Sequence, residues 1–312
     1  MEAKLSVVLP AYNEEKMIRK ARQTLKRVLG EAGIPHELVF VDDGSTDRTW
    51  EAICDVCEEG GESVGVHFSR NFGKEAAIFA GLAHADGAVV AVMDCDLQHP
   101  PETLVEMYRL WEQGYEIVEG VKTSRGRESL AHKCSAGLFY KIMSKVTGMD
   151  MQNASDFKMM DRKVVEALLT LPERNTFFRA LSSWVGYKTV IVKFEVRERE
   201  EGVSKWSAKD LIKYAMSNIA GFTSFPLQIV AFGGFAVLAV TMVLGIQTLV
   251  KYFGGRAVEG FSTVILLILF IGSVIMISLG IIGYYLSKIY DEIKQRPRYI
   301  ISEIAKKKDE VV

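Results

Sequence analysis

Two long stretches without a charged residue constrain this chain more than any other feature: Pro226–Val250, 25 residues, and Phe261–Ser287, 27 residues. As helices rising ~1.5 Å per residue, each is long enough to cross the ~30 Å hydrocarbon layer of a bilayer. Buried helices of a soluble core are the alternative, but these runs are adjacent and both are flanked by charge. The expectation is two transmembrane helices, over 226–250 and 261–287. The connector 251–260 holds two cations, Lys251 and Arg256, whereas the tail 288–312 holds seven: Lys288, Lys294, Arg296, Arg298, Lys306, Lys307 and Lys308. Cations accumulate on the cytoplasmic side of a membrane, which places the connector outside and both termini inside. An integral membrane protein, in the plasma membrane if bacterial, is expected, and its basic tail is long enough to pack on a second copy.

Upstream of these runs the composition changes. Residues 1–206 mix charged and apolar groups as a soluble, cytoplasmic domain does. Between the two regimes, 207–225 places Leu211, Ile212, Ala215, Met216 and Ile219 on one helical stripe. That suits an amphipathic helix in the membrane interface, although a helix packed on the domain would show the same stripe. Lys+Arg number 38 against 39 Asp+Glu, so no basic field exists to gather nucleic acid. Cys54 and Cys57 form a CxxC inside the helical pattern TWEAICDVCEEG, with no second ligand pair, and read as structural thiols. The start, MEAKLSVVLP, lacks the charged and apolar regions of a signal peptide.

Within 1–206, Val- and Ile-rich runs alternate with helical patterns: LSVVLPAY, ELVFVDDGS, VGVHFS and AVVAVMDCD read as strands. This predicts an α/β domain with a largely parallel sheet. Helices are expected to start after Ser45 or Thr46 and at Pro100–Pro101. Polar residues gather just past the strand ends, the edge where open α/β sheets bind ligands. Buried without partners, Asp42 or Asp43 would be costly, which favours a ligand or metal beside them. Period-two alternation would aim Asp94, Asp96 and Gln98 the same way. Three hard oxygen donors so placed suit Mg²⁺ or Mn²⁺.

The segments PAYNEE, VDDGSTDRT, RNFGKEAA and MDCDLQHPPE, in this order, resemble the family 2 glycosyltransferases with the Rossmann-like GT-A fold. The later SDFKMMDRK, ERNTFFRALSSW and EGVSKWS, with the two apolar runs, narrow the likeness to the polyprenyl-phosphate glycosyltransferases. That group includes dolichol-phosphate mannose synthase and the bacterial undecaprenyl-phosphate sugar transferases. The resemblance implies that Pro10, Tyr12 and Glu14 flank the nucleotide base and ribose and that Asp43 reads the base edge. It puts Asp94 beside the ribose and diphosphate, within a metal set Asp94, Asp96 and Gln98. Arg70 and Lys74 would aid the phosphates, and a loop with Lys205 and Trp206 would close over them. Lys122, Arg125, Arg127, Lys133 and Ser135 would clasp the phosphate of a lipid acceptor. Two departures stand here: Lys122 replaces a usual Arg, losing its two-pronged geometry, and Ala131 replaces an Arg of some relatives, for which Lys133 compensates.

Asp96 and Asp156 are the catalytic carboxylates by resemblance. Asp156 matches the general base of relatives whose nucleophile is a hydroxyl. A phosphate monoester has its second pKa at about 6 and needs no such base, so Asp156 is expected to orient the acceptor or a clamp cation, or else to cap a helix. The implied reaction is inverting transfer of one sugar from a nucleotide-sugar to undecaprenyl or dolichyl phosphate, with UDP-glucose or another UDP-sugar as donor. GDP-mannose is the alternative. A processive polysaccharide synthase is disfavoured by the lack of QxxRW, a silent membrane scaffold by the intact carboxylate set, and a dehydrogenase by the lack of GxGxxG.

Overall fold

The computed structural model describes residues 3–60, 62–123, 155–173, 177–195, 225–254 and 260–306. The chain forms two units: Met1–Trp206 together with Pro297–Val312, and Ser207–Arg296.

The first unit is built on a sheet. Strands β1 (Leu5–Ala11), β2 (His36–Asp42), β3 (Ser63–Phe68) and β4 (Val89–Val92) are apolar and buried along nearly their whole length. Continuous burial, rather than alternation, is what a parallel sheet covered on both faces demands. Helix α1 (Glu15–Glu31) presents Ile18, Ala21, Leu25, Val28 and Leu29 to it at three- and four-residue spacing. Helices α2 (Thr49–Glu58), α3 (Lys74–His84) and α4 (Glu102–Glu112) follow the next three strands. Strands β5 (Ile117–Lys122), β6 (Lys158–Asp161), β7 (Thr189–Phe194) and β8 (Ile301–Lys306), with helices α5 (Arg162–Thr170) and α6 (Phe178–Trp184), complete the described part of the unit.

The eight strands run β7-β5-β6-β4-β1-β2-β3-β8. Parallel pairing joins β1 to β2 and β4, β2 to β3, and β5 to β7; β6 is antiparallel to β4 and β5, and β8 to β3. The mostly parallel α/β expectation is met. Strand β1 lies between β2 and β4, with Ala11 opposite Asp42 and Val8 opposite Val92. All three therefore end at one sheet edge, and the order reverses between β4 and β1, the kind of switch point at which open α/β sheets bind their ligands.

Strand β8 departs from the sequence reading, which took 288–312 as a basic tail free to meet a second copy. The tail instead extends its own chain's sheet, from Val64 opposite Lys306 to Phe68 opposite Ile301. Trp50 donates its indole N–H to Glu303 at 3.0 Å, and Tyr299 stacks on Phe68 at 5.0 Å. The Arg298 guanidinium donates to the carbonyls of Leu171 and Glu173 and lies over the Phe79 ring. An uncovered β3 edge would expose a row of unpaired backbone groups, and β8 satisfies them.

The second unit contains two helices that touch each other, α7 (Phe225–Phe253, 29 residues) and α8 (Phe261–Ile293, 33 residues). The latter outruns the expected end at Ser287, through Lys288, Asp291 and Glu292. Apolar side chains such as Phe232, Phe235, Phe270 and Met276 are mostly exposed. Among the described residues one stretch, Phe270–Ile293, with mean hydropathy 1.8 over its most apolar window, is long and apolar enough to cross a membrane; Phe232–Gln247 is a shorter apolar stretch. The expected amphipathic helix, 207–225, lies outside the described residues except for Phe225.

Candidate active site

The loops after β1 and β2 are laced together. Asn13, at φ +56°, donates its backbone N–H to Ser45 Oγ and accepts the Thr46 N–H on its side-chain oxygen, both at 2.9 Å. Glu14 N–H donates to Thr49 Oγ1 at 2.9 Å. Ser45 and Thr46 thus serve the β1 loop and do not start the helix: α2 begins at Thr49, whose N–H is accepted by Asp47 at 3.0 Å. The predicted start at Pro100–Pro101 holds, with α4 beginning at Glu102. This lacing brings Pro10, Tyr12, Glu14 and Asp43 to one corner of the sheet edge, with Tyr12 44% exposed.

Asp42 and Asp43 are both buried, and the protein itself satisfies them. Asp42 accepts from Ser45 through one oxygen and pairs with His67 Nδ1 at 2.7 Å through the other. Asp43 accepts the amides of Phe72 at 2.7 Å and Gly73 at 2.9 Å. Their burial therefore requires no ligand, contrary to the sequence argument. Burial raises the Asp43 pKa to about 6, against the lowering effect of those two amides. Gly44, at φ +65°, lets the β2 loop lie against the β3–α3 loop, since a Cβ there would stand 2.3 Å from the Arg70 carbonyl carbon.

That contact sets the start of α3, where Lys74 and Glu75 point into a cluster of charges. Lys74 Nζ lies 2.6 Å from Asp94 Oδ1 and 3.0 Å from Asp156 Oδ2. Arg179 grips Asp156 with two prongs, Nε to Oδ1 at 2.7 Å and Nη2 to Oδ2 at 2.8 Å. Glu75 accepts the Phe178 N–H at 2.8 Å, fixing the start of α6 one residue before that arginine. Burial alone would raise the Asp156 pKa, but the Lys74 and Arg179 charges hold it far below the usual carboxylate range. The same contest, between burial and Lys74, leaves Asp94 below its ordinary value. Burial also pushes Glu75 up to about 7, so it exchanges a proton near neutrality. Helix capping, the other reading of Asp156, belongs instead to Asp161, which accepts the Lys163 N–H.

The alternation expected for Asp94, Asp96 and Gln98 is not realised. Strand β4 ends at Val92, and the chain turns through Leu97 at φ +55°, with the Gln98 N–H donated to Asp96 Oδ1 at 3.1 Å. Asp94 faces Lys74, while Asp96 sits on the turn. Among the described residues no three His, Cys, Asp or Glu side chains converge as a metal cluster. The donor chemistry of Asp94, Asp96 and Gln98 nonetheless fits Mg²⁺ or Mn²⁺, all three being hard oxygens on one turn. Next to them His99 is buried, stacked on Phe157 at 4.7 Å, with no hydrogen-bond partner for Nδ1 among the described residues.

Lys122 ends β5 and is exposed; Arg70 is exposed with its guanidinium 4.4 Å over the Phe72 ring. Arg125, Arg127, Lys133, Ser135, Lys205 and Trp206 lie outside the described residues. Cys57 is a buried helical thiol, its pKa pushed to about 12 by burial, as structural cysteines are. Sequence reasoning missed Glu75, His99 and Arg179. Glu75 and His99 stand inside the quoted motifs RNFGKEAA and MDCDLQHPPE, and Arg179 inside ERNTFFRALSSW, but nothing local marks what each touches.

Comparison with known proteins assigns the chain to a family. Residues 6–169 match the model of glycosyl transferase family 2. An uncharacterized glycosyltransferase of Bacillus subtilis is 37% identical over 96% of this chain and 93% of its own. A prophage-derived bactoprenol glucosyl transferase of Shigella flexneri is 36% identical over 96% of this chain and 98% of its own. Among solved structures, glucosyl-3-phosphoglycerate synthase from Mycobacterium tuberculosis aligns over 70% of this chain and 78% of its own, at 23% identity and a TM-score of 0.46. With the family model spanning more than half of the chain and relatives aligned end to end, the protein belongs to glycosyl transferase family 2.

Proposed function

We propose that the protein transfers one hexose from a nucleotide-sugar, UDP-glucose foremost, to the phosphate of a polyprenyl lipid, with inversion at the anomeric carbon. The carrying observation is the state of Asp156: both oxygens are engaged by Arg179 and Lys74 and the group is held ionised. A carboxylate so committed is a poor general base. The site therefore suits a nucleophile that is already an anion, as a phosphate monoester mostly is at neutral pH with its second pKa at about 6. Relatives named bactoprenol glucosyl transferases, aligned along nearly the whole chain, support the acceptor and the sugar.

In this reading an acceptor phosphate oxygen attacks the anomeric carbon. The bond from that carbon to the diphosphate breaks on the opposite face, and its electron pair leaves with the nucleoside diphosphate. Pro10, Tyr12, Glu14 and Asp43 border the base and ribose. Asp94, Asp96 and Gln98 would hold Mg²⁺ or Mn²⁺, which supplies positive charge to the departing diphosphate. Lys74 and Arg70 add to that charge, and Lys205 closes the site. Lys122, Arg125, Lys133 and Ser135 hold the acceptor phosphate. Arg179, through Asp156, keeps Lys74 in position.

We read the two-helix unit as a membrane hairpin. Two spans joined by the short connector 251–260 would return the chain to the side of the bilayer from which it entered. Apolar side chains exposed along both helices, and cations favouring the tail over the connector, support the cytoplasm as that side. The test is a donor panel: purified protein, Mn²⁺ or Mg²⁺, undecaprenyl phosphate, and each of UDP-glucose, UDP-N-acetylglucosamine and GDP-mannose. UDP-glucose is expected to be turned over fastest. Transfer to unphosphorylated polyprenol as readily as to its phosphate would overturn the acceptor.

A further inference from the structure

Lys74 occupies a place that phosphate binding alone does not explain. Its ammonium bridges two carboxylates from separate parts of the chain, Asp94 and Asp156. Asp156 does not depend on it for neutralisation, because Arg179 already contacts both of its oxygens. Asp94 does: among the described residues Lys74 is the cation paired with it, at 2.6 Å. Both side chains of that pair remain partly open, Lys74 at 43% and Asp94 at 31%, so an incoming ligand reaches them.

We propose that Lys74 is an exchangeable counter-ion, which holds the Asp94 oxygen against divalent cations until a nucleotide diphosphate arrives and draws the ammonium away. The inference rests on the donor site described under Proposed function. A carboxylate oxygen in a short contact with an ammonium is a weakened metal ligand, because the divalent cation must displace a positive charge already seated there. Diphosphate changes the balance, since its oxygens accept the same ammonium hydrogens in charge-assisted bonds. Lysine suits the exchange, being a compact charge on a flexible stem with three donors. Its contact with Asp156 lets it pass from Asp94 to a phosphate oxygen without leaving the site. Cation and nucleotide then bind as a coupled pair, and by linkage each tightens the other.

The test is Mn²⁺ titration followed by electron paramagnetic resonance, on full-length protein in detergent, with and without UDP. Wild type should bind Mn²⁺ weakly alone and markedly tighter with UDP. Lys74→Met should bind Mn²⁺ without UDP about tenfold tighter than wild type, the scale of one half-buried ion pair, and the enhancement by UDP should shrink correspondingly. Lys74→Arg, which keeps the cation, should stay within about twofold of wild type. Should Lys74→Met fail to fold, Lys74→Gln carries the same comparison. Mn²⁺ binding by the neutral variants no tighter than wild type overturns the counter-ion role while leaving the donor site standing. Failure of wild type to take up Mn²⁺ even with UDP overturns both.

Discussion

Replacing Arg179 by Ala removes two hydrogen bonds of 2.7 and 2.8 Å from a carboxylate that is only 7% exposed. Stripping one partner from a buried ion pair typically costs ~3 to 5 kcal/mol, because the other charge is left desolvated. Two features reduce that here: Lys74 remains 3.0 Å from Asp156, and the Arg179 side chain is itself 28% exposed, so water enters behind it. About 2 to 3 kcal/mol is the resulting expectation near pH 7.5, or roughly 5 to 10 °C in the melting temperature of a unit this size.

The pH dependence has a definite sign. In wild type the folded pKa of Asp156 is depressed, so its stabilisation is present above the unfolded value, ~3.9, and is lost only as pH falls below it. Without Arg179 the burial effect gains ground and the folded pKa rises. Protonation then relieves the variant, and its deficit against wild type should shrink between pH 7.5 and about 4.5. Thermal scans by intrinsic tryptophan fluorescence, at several pH values, measure this directly. A variant within ~0.5 kcal/mol of wild type, or a deficit that does not change with pH, would refute the picture of Asp156 as an ionised group held by Arg179.

Three further outcomes are expected. Asp96→Asn should be nearly inactive in transfer from UDP-glucose, with a loss of several kcal/mol in transition-state stabilisation, and excess chelator should silence wild type; full transfer in either assay removes the cation from the reaction. A cysteine placed near Gly255 should react with an impermeant maleimide on intact cells, whereas one near Lys307 should not, and the reverse pattern would invert the topology. Ending the chain after Arg296 deletes β8 with its Glu303–Trp50 bond, and with it the Tyr299–Phe68 and Arg298–Leu171 contacts. The truncated protein should melt about 5 °C or more below the full chain and should self-associate through the bared β3 edge, as light scattering would report.

How much of this the sequence carried can be read residue by residue. LSVVLPA is apolar at almost every position, which sufficed to place β1 inside a parallel sheet, and the polar residues after three such runs fall at one edge of that sheet. The long charge-free runs announced α7 and α8, although the end of α8 lay beyond Ser287, because helical geometry persists into charged residues that a hydropathy boundary excludes. The segment ISEIAK, by contrast, is short, mostly exposed and followed by lysines, and its hydrogen-bonding partner Trp50 is 253 residues from Glu303 along the chain. No local periodicity records such a pairing. The same holds for Glu75 with Phe178, 103 residues apart, and for the Lys74 bridge between Asp94 and Asp156. Side-chain period and apolar content are local properties, written in neighbouring residues, so the elements and the polar edge of the sheet were legible. Which carboxylate is ionised, which is satisfied by a backbone amide and which faces a lysine depends on groups that only the folded chain brings within about 3 Å of one another, where hydrogen bonding and Coulomb energy become large enough to choose.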